Sequence, residues 1–280
     1  MTQLKSNSGV ANAKLQLSNG YTVDFERLAR LLNAVSQEQT GRFSSVELAG
    51  AVGVADRHME GLCSIAQALG LVKKMTYKPT PLGQLVQTHD PFFDDLGTLW
   101  FLHYVISSNP GNIIWHRMVT EILPSNRVVS RAQARMVFDD LRESISEASI
   151  KKHVLKELNI VLDAYTQQHF ARLAYLRDDD SGYAISYRES VPPLILAASI
   201  ARFRDYYRPG ATAITVRDLL EAPHSPGVVF HMGEDRMRPA LEELKVQPSF
   251  SLESRADLDQ VRLADNTLDH EWMRRYYESR

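Results

Sequence analysis

Apolar residues recur at helical spacing in the first part of the chain. In FERLARLLNAV, residues 25–35, the large apolar side chains fall three or four positions apart, which predicts an amphipathic helix. The next stretch, SSVELAGAVGV, begins with Ser44 and has Glu47 three residues later, the spacing of a capping box at a helix start. A third apolar stripe runs through ADRHMEGLCSIAQALGL and ends at Gly70. This succession of short helices predicts a helix-turn-helix unit.

The residues after this third stripe change to an alternating pattern. LVKKMTYKPTPLG, residues 71–83, alternates and turns as a small β-hairpin would. Thr80 and Pro81 are suited to the N-cap and first position of another helix. A hairpin that follows the third helix is typical of a winged helix, so we predict a first winged-helix domain over residues 21–93, preceded by a flexible tail over residues 1–20.

The same order of patterns recurs twice. The second copy has amphipathic runs over residues 112–123, 130–145 and 146–165, and the run at 130 opens with capping-box spacing. The third copy has helical runs followed by two short alternating runs over residues 246–265. Its last helical run contains Pro239, which must lie near the first turn or kink the helix.

One further segment, DDLGTLWFLHYVISSNP, separates the first two copies. Asp94 and Asp95 suit a helix start, and Asn109 with Pro110 forms a strong stop. The apolar residues between them occupy more than one helical face, so we expect a helix covered on several sides. Truncation of Trp100 should therefore destabilise the protein strongly. We assign four residues of this segment to the structural core rather than to catalysis: Trp100, His103, Asn109 and Pro110.

These patterns together predict the fold class and the domains. We expect a mainly α protein of multiple winged-helix units with short β-hairpin wings, joined by a buried central helix. The predicted domains after the first are a central helix and second helix-turn-helix-like domain over residues 94–186, a third winged-helix-like domain over 187–265 and a C-terminal helix over 266–280.

Composition narrows the class of protein. The chain has 280 residues, 44% of them hydrophobic, and a formal net charge of −2, so attraction to nucleic acid must come from local patches of charge. The single cysteine, Cys63, cannot form an internal disulfide. No secretory signal and no apolar run of roughly 20 residues is found, which predicts a cytoplasmic protein without a membrane partner.

Local charge makes double-stranded DNA the favoured partner. In the first unit, Arg57 and His58 would point outward from the third helix, which is the helix that enters the major groove in such folds. Lysines on the wing and at the start of the second unit's third helix are suited to neutralising phosphates. The candidate DNA-binding residues are Arg42, Arg57, His58, Lys73, Lys74, Lys78, Lys151 and Lys152.

Other readings of the same charges stay open. Winged helices also bind proteins, and Asp56 and Glu60 dilute the positive charge of the first unit's third helix. The lysines of the second unit equally suit a solvated helix face. The corresponding helix of the third unit begins with Glu234 and Asp235, which favours protein contact over DNA.

Motifs for chemistry are not found in the sequence. It has no Gly-rich phosphate loop, no CxxC pair, no HExxH and no nucleophile elbow. The run from Asp178 to Asp180 lies in RDDDSGY, whose composition is typical of an exposed turn. We therefore expect no enzyme activity, no catalytic or metal-binding residues, no cofactor and no small-molecule ligand.

Three segments of the chain resemble a known family. TPLGQLV, DPFFDDLGTLWFLHYVISSNP and SEASIKKHVLKEL are similar to the motifs of the bacterial DUF4007 family, although IKKHVLKEL lacks that family's Arg-Asp pair. The resemblance implies a gene setting in phage-defence and DNA phosphorothioation loci, often beside a phosphoadenosine-phosphosulfate-reductase-like gene. It implies participation in a multi-protein DNA modification or restriction system and no known reaction.

The leading hypothesis is a non-catalytic, DNA-binding accessory subunit of a bacterial anti-phage defence or DNA modification system, with the other subunits encoded by the same locus as partners. One alternative is a protein scaffold of such a system, whose winged helices bind partner proteins. Another is a transcriptional regulator of the operon, although nothing in the sequence marks the dimerisation helix that regulators commonly use.

Overall fold

The protein is mainly helical, with small antiparallel sheets. The computed structural model describes residues 15–37, 43–124, 128–136, 138, 141, 146–179, 182–186, 190–255, 258–264 and 267–280. Within them, helices and strands form three successive groups, called the first, second and third units below, together with a central helix and a C-terminal helix.

The first unit follows the predicted order of elements. It consists of α1 (Phe25–Gln37), α2 (Ser45–Val52), α3 (Asp56–Ala68) and an antiparallel bridge between Val72 and Pro79. The predicted capping box is present at α2, because the Ser44 amide donates to the Glu47 carboxylate at 2.8 Å and the Glu47 amide donates to Ser44 Oγ at 3.2 Å. Gly53 ends α2 in the left-handed region with φ of 77°.

A linking helix leaves the first unit at the predicted Thr-Pro pair. It is α4 (Pro81–His89), and Thr80 Oγ1 accepts the Gly83 amide at 3.0 Å at its start. The tertiary structure therefore keeps the local helix signals that the sequence carries.

The second unit contains two helices with π-helical segments. Its elements are α6 (Ile113–Arg117) with a π-helical continuation (Met118–Ile122), α7 (Arg131–Met136), α8 (Glu147–Ser149) with a π-helical continuation (Ile150–Val154), α9 (Leu155–Thr166), a 3₁₀ turn (His169–Leu173), β1 (Leu176–Asp179) and β2 (Gly182–Ile185). β1 and β2 pair antiparallel, and Val129 forms an additional bridge to Tyr183 of β2. Ser130 and Gln133 form the expected reciprocal hydrogen bonds at the start of α7.

The third unit has a three-stranded antiparallel sheet. Its elements are α10 (Pro193–Tyr207), β3 (Ile214–Thr215), α11 (Val216–Glu221), α12 (Pro226–Phe230), α13 (Glu234–Leu244), β4 (Phe250–Arg255) and β5 (Leu258–Leu263). The sheet order is β3-β5-β4, so the two predicted alternating runs form its hairpin. Pro239 lies inside α13 beyond the first turn, where it cannot donate to the carbonyl of Asp235.

The central helix, α5 (Leu96–Ser108), is covered on all sides. Every residue from Gly97 to Ser108 is buried, with Trp100 and His103 only 4% and 0% exposed. It packs against α6, α10, α12 and the 3₁₀ turn. It therefore packs mainly between the second and third units, although in the sequence it separates the first two.

Asn109 and Pro110 do not belong to the core, contrary to their assignment. Both are exposed, because they follow the last turn of α5 and reverse the chain direction. Asn109 Oδ1 accepts the Gly111 amide at 2.9 Å. The buried polar residue of this turn is Asn112, which donates to the carbonyl of Ile106 at 3.0 Å.

The C-terminal helix, α14 (Asp269–Glu278), docks onto the body of the protein. It packs against α10 and α4 and buries Trp272 and Met273 completely. The Tyr277 and Thr98 hydroxyls lie 2.7 Å apart, which ties this helix to α5. The buried apolar side chains, from Leu17 to Met273, form one continuous core that runs through all three units.

Candidate nucleic-acid interface

The outer face of α3, which was expected to be free for DNA, is partly covered by residues 15–21, here called the strap. The ring of Tyr21 stacks on the ring of His58 with centroids 4.1 Å apart and planes 4° apart. His58 is therefore half-buried and does not point outward as expected, whereas Arg57 is exposed. Of the tail predicted over residues 1–20, residues 15–20 thus lie against the protein, and residues 1–14 lie outside the described residues.

The strap follows α3 for about one helical turn. Asn19 Nδ2 donates to the carbonyl of Arg57 and to the carboxylate of Glu60, both at 3.4 Å. Gly61 faces the backbone of Ser18 so closely that a side chain at this position would clash with it. The face of α3 from residue 57 to residue 61 is consequently occupied in part by the chain itself.

The opposite side of the strap is bound by Glu157 of α9. Its carboxylate accepts the amides of Leu17 and Ser18 at 3.1 and 3.3 Å and the Ser18 hydroxyl at 3.2 Å. Burial raises the pKa of Glu157, while these three hydrogen bonds act to lower it. The strap therefore joins α3 and α9, the third helices of the first and second units.

The hairpin of the first unit brings three of the candidate lysines together. The Lys73 amide donates to the carbonyl of Lys78 at 2.8 Å, and Lys74 follows Lys73 at the turn. All three lysine side chains are exposed, and none forms an ion pair with another residue that the structure describes. We call residues 71–80 the lysine hairpin. Met75, at its tip, is 82% exposed and has a left-handed backbone with φ of 70°.

The remaining candidate residues are distributed differently. Lys152 is exposed near the start of the second unit's long helix. Arg42 and the side chain of Lys151 lie outside the described residues. Sequence reasoning did not select Lys156, which is exposed and lies against Gly20 of the strap, nor Met75, although the KKMTYK run already placed it between cations.

The third unit uses its charges differently from the lysine hairpin. Arg238 of α13 donates to Glu234 at 2.6 Å and to Asp259 of β5 at 2.5 Å, and Arg262 donates to Glu253 at 3.0 Å. These hydrogen bonds raise the pKa of Arg238, and Arg238 lowers that of Asp259. The hairpin of this unit therefore offers paired charges instead of free cations.

A buried polar cluster surrounds the middle of α5. The Trp115 indole donates to the Tyr165 hydroxyl at 2.9 Å, and Tyr165 in turn bonds His103 Nδ1. His103 Nε2 is 3.2 Å from the carbonyl of Val229, which can only accept, so this nitrogen carries the proton. Burial lowers the pKa of His103 to about 3, which makes the ring neutral. This cluster holds α5, α6, α9 and α12 together.

Within the described residues, no group of three or more His, Cys, Asp or Glu side chains is arranged to hold a metal ion. Cys63 is buried, and burial raises the pKa of its thiol to about 12. The described helices also include none that is long and apolar enough to cross a membrane.

Comparisons with known proteins give a family and a fold. The family model described as "Protein of unknown function (DUF4007)" matches residues 28–277. No curated protein sequence matches. Two solved structures share the fold at 18% identity. "Magnesium ion-bound SspB crystal structure" has a TM-score of 0.74 and covers 94% of this chain and 93% of its own. "SspB crystal structure" has a TM-score of 0.73 and covers 95% and 94%.

Proposed function

The chain belongs to the DUF4007 family, and from that premise we propose that it is a non-catalytic, DNA-binding subunit of a bacterial defence or DNA modification system. The gene setting implied by the family motifs supports the system, and the lysine hairpin supports the DNA contact. A cytoplasmic location and partner subunits from the same locus belong to this proposal.

We propose that the three units are winged helices. The third unit supports this most directly, because β3 precedes its second helix and pairs with β5 of the following hairpin. The second unit has the same order, with Val129 ahead of α7 pairing to β2. In the first unit the bridge between Val72 and Pro79 follows the third helix, where a wing would lie.

The observation that carries the DNA contact is the lysine hairpin. Its three ammonium groups are exposed on one short hairpin without an ion pair to any described residue. Phosphate contacts from such groups release counterions and give affinity that depends on salt but not on sequence. Because the strap occupies part of α3, we expect the hairpin to contribute more to affinity than base reading by Arg57 or His58.

A titration of duplex DNA by fluorescence polarisation at about 50 and about 200 mM salt tests this function. Removal of all three lysines (Lys73→Ala, Lys74→Ala and Lys78→Ala) should reduce the dependence of log affinity on log salt by about 2 to 3, since each phosphate contact contributes about 0.9. The matched control removes three cations from the third unit with Arg217→Ala, Lys245→Ala and Arg262→Ala. No binding by the wild-type protein at low salt, or an equal loss in the control, contradicts the proposal.

The non-catalytic part needs its own assay, because one solved neighbour is titled as magnesium-bound. Supercoiled plasmid incubated with the protein and Mg²⁺ should remain supercoiled. A nicked or linear product that depends on the protein and the cation would contradict this part and leave the DNA contact standing.

A protein-scaffold role has one supporting observation. Two arginines on this surface of the third unit are already paired with carboxylates of its hairpin, Arg238 of α13 with Asp259 and Arg262 of β5 with Glu253, so the surface is better suited to a protein than to phosphate. Co-purification with the products of neighbouring genes, repeated with Arg238→Ala, tests this second role. If this protein elutes alone in every case, the scaffold role is contradicted.

A further inference from the structure

A cleft of about 570 Å³ lies at the edge of the first unit, which also carries the lysine hairpin. Its walls are α1, α4, the loop that precedes α5 and the 3₁₀ turn. Its volume lies in the range of small-molecule sites. We propose that this cleft binds an unpaired nucleobase, a proposal that rests on the DNA-binding function above. It would take a single base that is exposed in single-stranded or distorted DNA.

An exposed aromatic ring stands at the edge of the cleft. Phe92 is 70% exposed, while its neighbour Phe93 is fully buried against Phe25, with ring centroids 5.2 Å apart. Phe93 has a left-handed backbone with φ of 58°, an uncommon conformation for a residue with a bulky side chain. The buried ring of Phe93 thus anchors the loop, and the ring of Phe92 is left in solvent.

The loop that carries Phe92 is held firmly. The carboxylate of Asp90 accepts the amides of Asp94 and Asp95 at 2.7 and 3.2 Å. Arg172 donates to the carbonyl of Asp94 at 2.7 Å and pairs with its carboxylate at 3.2 Å. The backbone beside Phe92 is thus fixed, and the exposed Phe92 ring offers a surface on which a flat base can stack.

Two amide side chains inside the cleft supply a hydrogen-bonding edge. Asn33 Oδ1 accepts from Gln87 Nε2 at 3.3 Å and from Gln37 Nε2 at 3.0 Å, which orients the Asn33 amide. Gln87 Oε1 is buried and has no hydrogen-bond partner in the described structure. Asn33 is exposed beside Gln87 in the lining of the cleft, and a rotation of the Gln87 amide would present its unpaired acceptor to the edge of a nucleobase.

Charge at the cleft favours a base over a phosphate group. Arg30 is exposed at its edge, but Glu26, one turn earlier on α1, lines the same edge. The charge of Asp94 is offset by Arg172. His169 also lines the cleft, and its ring stacks on Phe25 at 4.9 Å, where burial lowers its pKa. The near-neutral, aromatic and amide-lined cleft therefore suits a neutral flat ring, with the phosphates outside.

A single-stranded oligonucleotide that contains one 2-aminopurine tests the proposal. Wild-type protein should quench its fluorescence through stacking. Phe92→Ala should abolish the quench and weaken binding by about tenfold or more, which is the usual loss when an aromatic residue that stacks on a base is replaced by alanine. Phe92→Tyr should restore both effects. Gln87→Ala should weaken binding while retaining part of the quench. Val246→Ala is the control, since Val246 is 81% exposed in the third unit.

The same panel separates this proposal from the function on which it rests. If wild-type protein binds duplex DNA but Phe92→Ala and Gln87→Ala leave the quench and the single-strand affinity unchanged, the cleft proposal is overturned and the function stands. If duplex binding is absent but a Phe92-dependent quench is found, the cleft proposal stands alone. Loss of a co-purifying protein in Phe92→Ala without any change in the quench would reassign the cleft to a protein partner and also overturn it.

Discussion

The two junctions between units are built from opposite chemistry. The first and second units meet where the Phe25 ring packs on His169 and Phe170, and across the strap, whose amides are bound by the carboxylate of Glu157. The second and third units meet across neutral histidines: His116 donates to the carbonyl of Ser107 at 2.7 Å and stacks on His224 at 5.0 Å, and His103 donates to Val229. We call these the carboxylate junction and the histidine junction.

Burial moves the pKa values of the two junctions in opposite directions. It lowers the pKa of His103 to about 3 and those of His116 and His231 to about 4, so each histidine is neutral when folded. His231 belongs to the histidine junction because it follows α12 of the third unit and lies against the backbone of Val119 in the second. Their contribution to stability is complete above about pH 6.5 and is lost as pH falls towards the folded pKa. Burial raises the pKa of Glu157, so the carboxylate junction loses stability as pH rises above about 4.5 towards its folded pKa. Mild acid should therefore weaken mainly the histidine junction, and the carboxylate junction to a smaller extent through His58, whose pKa is also lowered by burial under the ring of Tyr21.

The largest expected effect is that of acid on the histidine junction. Lowering the pH from about 7 to about 5 should reduce the free energy of unfolding by about 2 kcal/mol for each of the three deeply shifted histidines. Urea denaturation at both pH values measures this loss, and amide hydrogen exchange should locate the first opening between the second and third units. A free energy of unfolding that is equal at the two pH values contradicts the comparison.

Truncation of Trp100 should damage the same junction by a different route. Its ring meets those of His103 and Phe230 edge-to-face, each with centroids 5.8 Å apart. Trp100→Ala should cost about 3 to 5 kcal/mol, because it leaves a cavity in a buried aromatic cluster. A thermal melt measures the loss, and Trp100→Phe should cost less. An unchanged melting temperature of the alanine variant would show that Trp100 does not support the core and would favour a functional role for this segment.

The carboxylate junction should respond more weakly and more locally. Glu157→Ala leaves the amides of Leu17 and Ser18 without an acceptor, which should cost about 1 to 3 kcal/mol. Hydrogen exchange at residues 15–21 should accelerate while α5 remains protected. Glu157→Gln retains one accepting oxygen and serves as the matched control. Equal acceleration throughout the chain would show that Glu157 supports the whole core instead of the strap.

The smallest effect should follow loss of the other strap contact. Asn19 is partly exposed, and both of its hydrogen bonds are long at 3.4 Å. Asn19 also has a left-handed backbone with φ of 53°, which alanine adopts less readily, so Asn19→Ala should lower the free energy of unfolding by about 1 kcal/mol or less. If urea denaturation shows a loss as large as that of Glu157→Ala, the strap is held by α3 as much as by α9, and Glu157 is not its main anchor.

Most of the features that were predicted correctly depend on local signals in the sequence. The capping boxes at Ser44 and Ser130 and the Thr80-Pro81 pair depend on residues within one turn of each other, and the mainly helical class and the family followed from such patterns. The assignment of Asn109 and Pro110 to the core was wrong, because residues at a strong helix stop lie outside the core. The stop itself was identified correctly, but its burial was not.

Contacts between distant residues could not be predicted from one sequence. The Tyr21 and His58 rings are separated by more than thirty positions in the chain, and Ser18 and Glu157 by 139. Glu157 lies in LKEL, whose polar positions resemble a solvated helix face. The burial of this carboxylate is decided only by where the strap docks, and the same holds for the cleft at Phe92, whose walls come from four separate segments.

The continuous core has a consequence for modularity. Because buried side chains from Leu17 to Met273 belong to one cluster, the three units are not interchangeable parts that recombination could exchange freely. A chimaera that replaced the third unit with one from a relative would have to match the shape of α5 and the partners of His103 and His116 at once. The helices of this fold should therefore change only together, and amino-acid substitutions should accumulate in its hairpins.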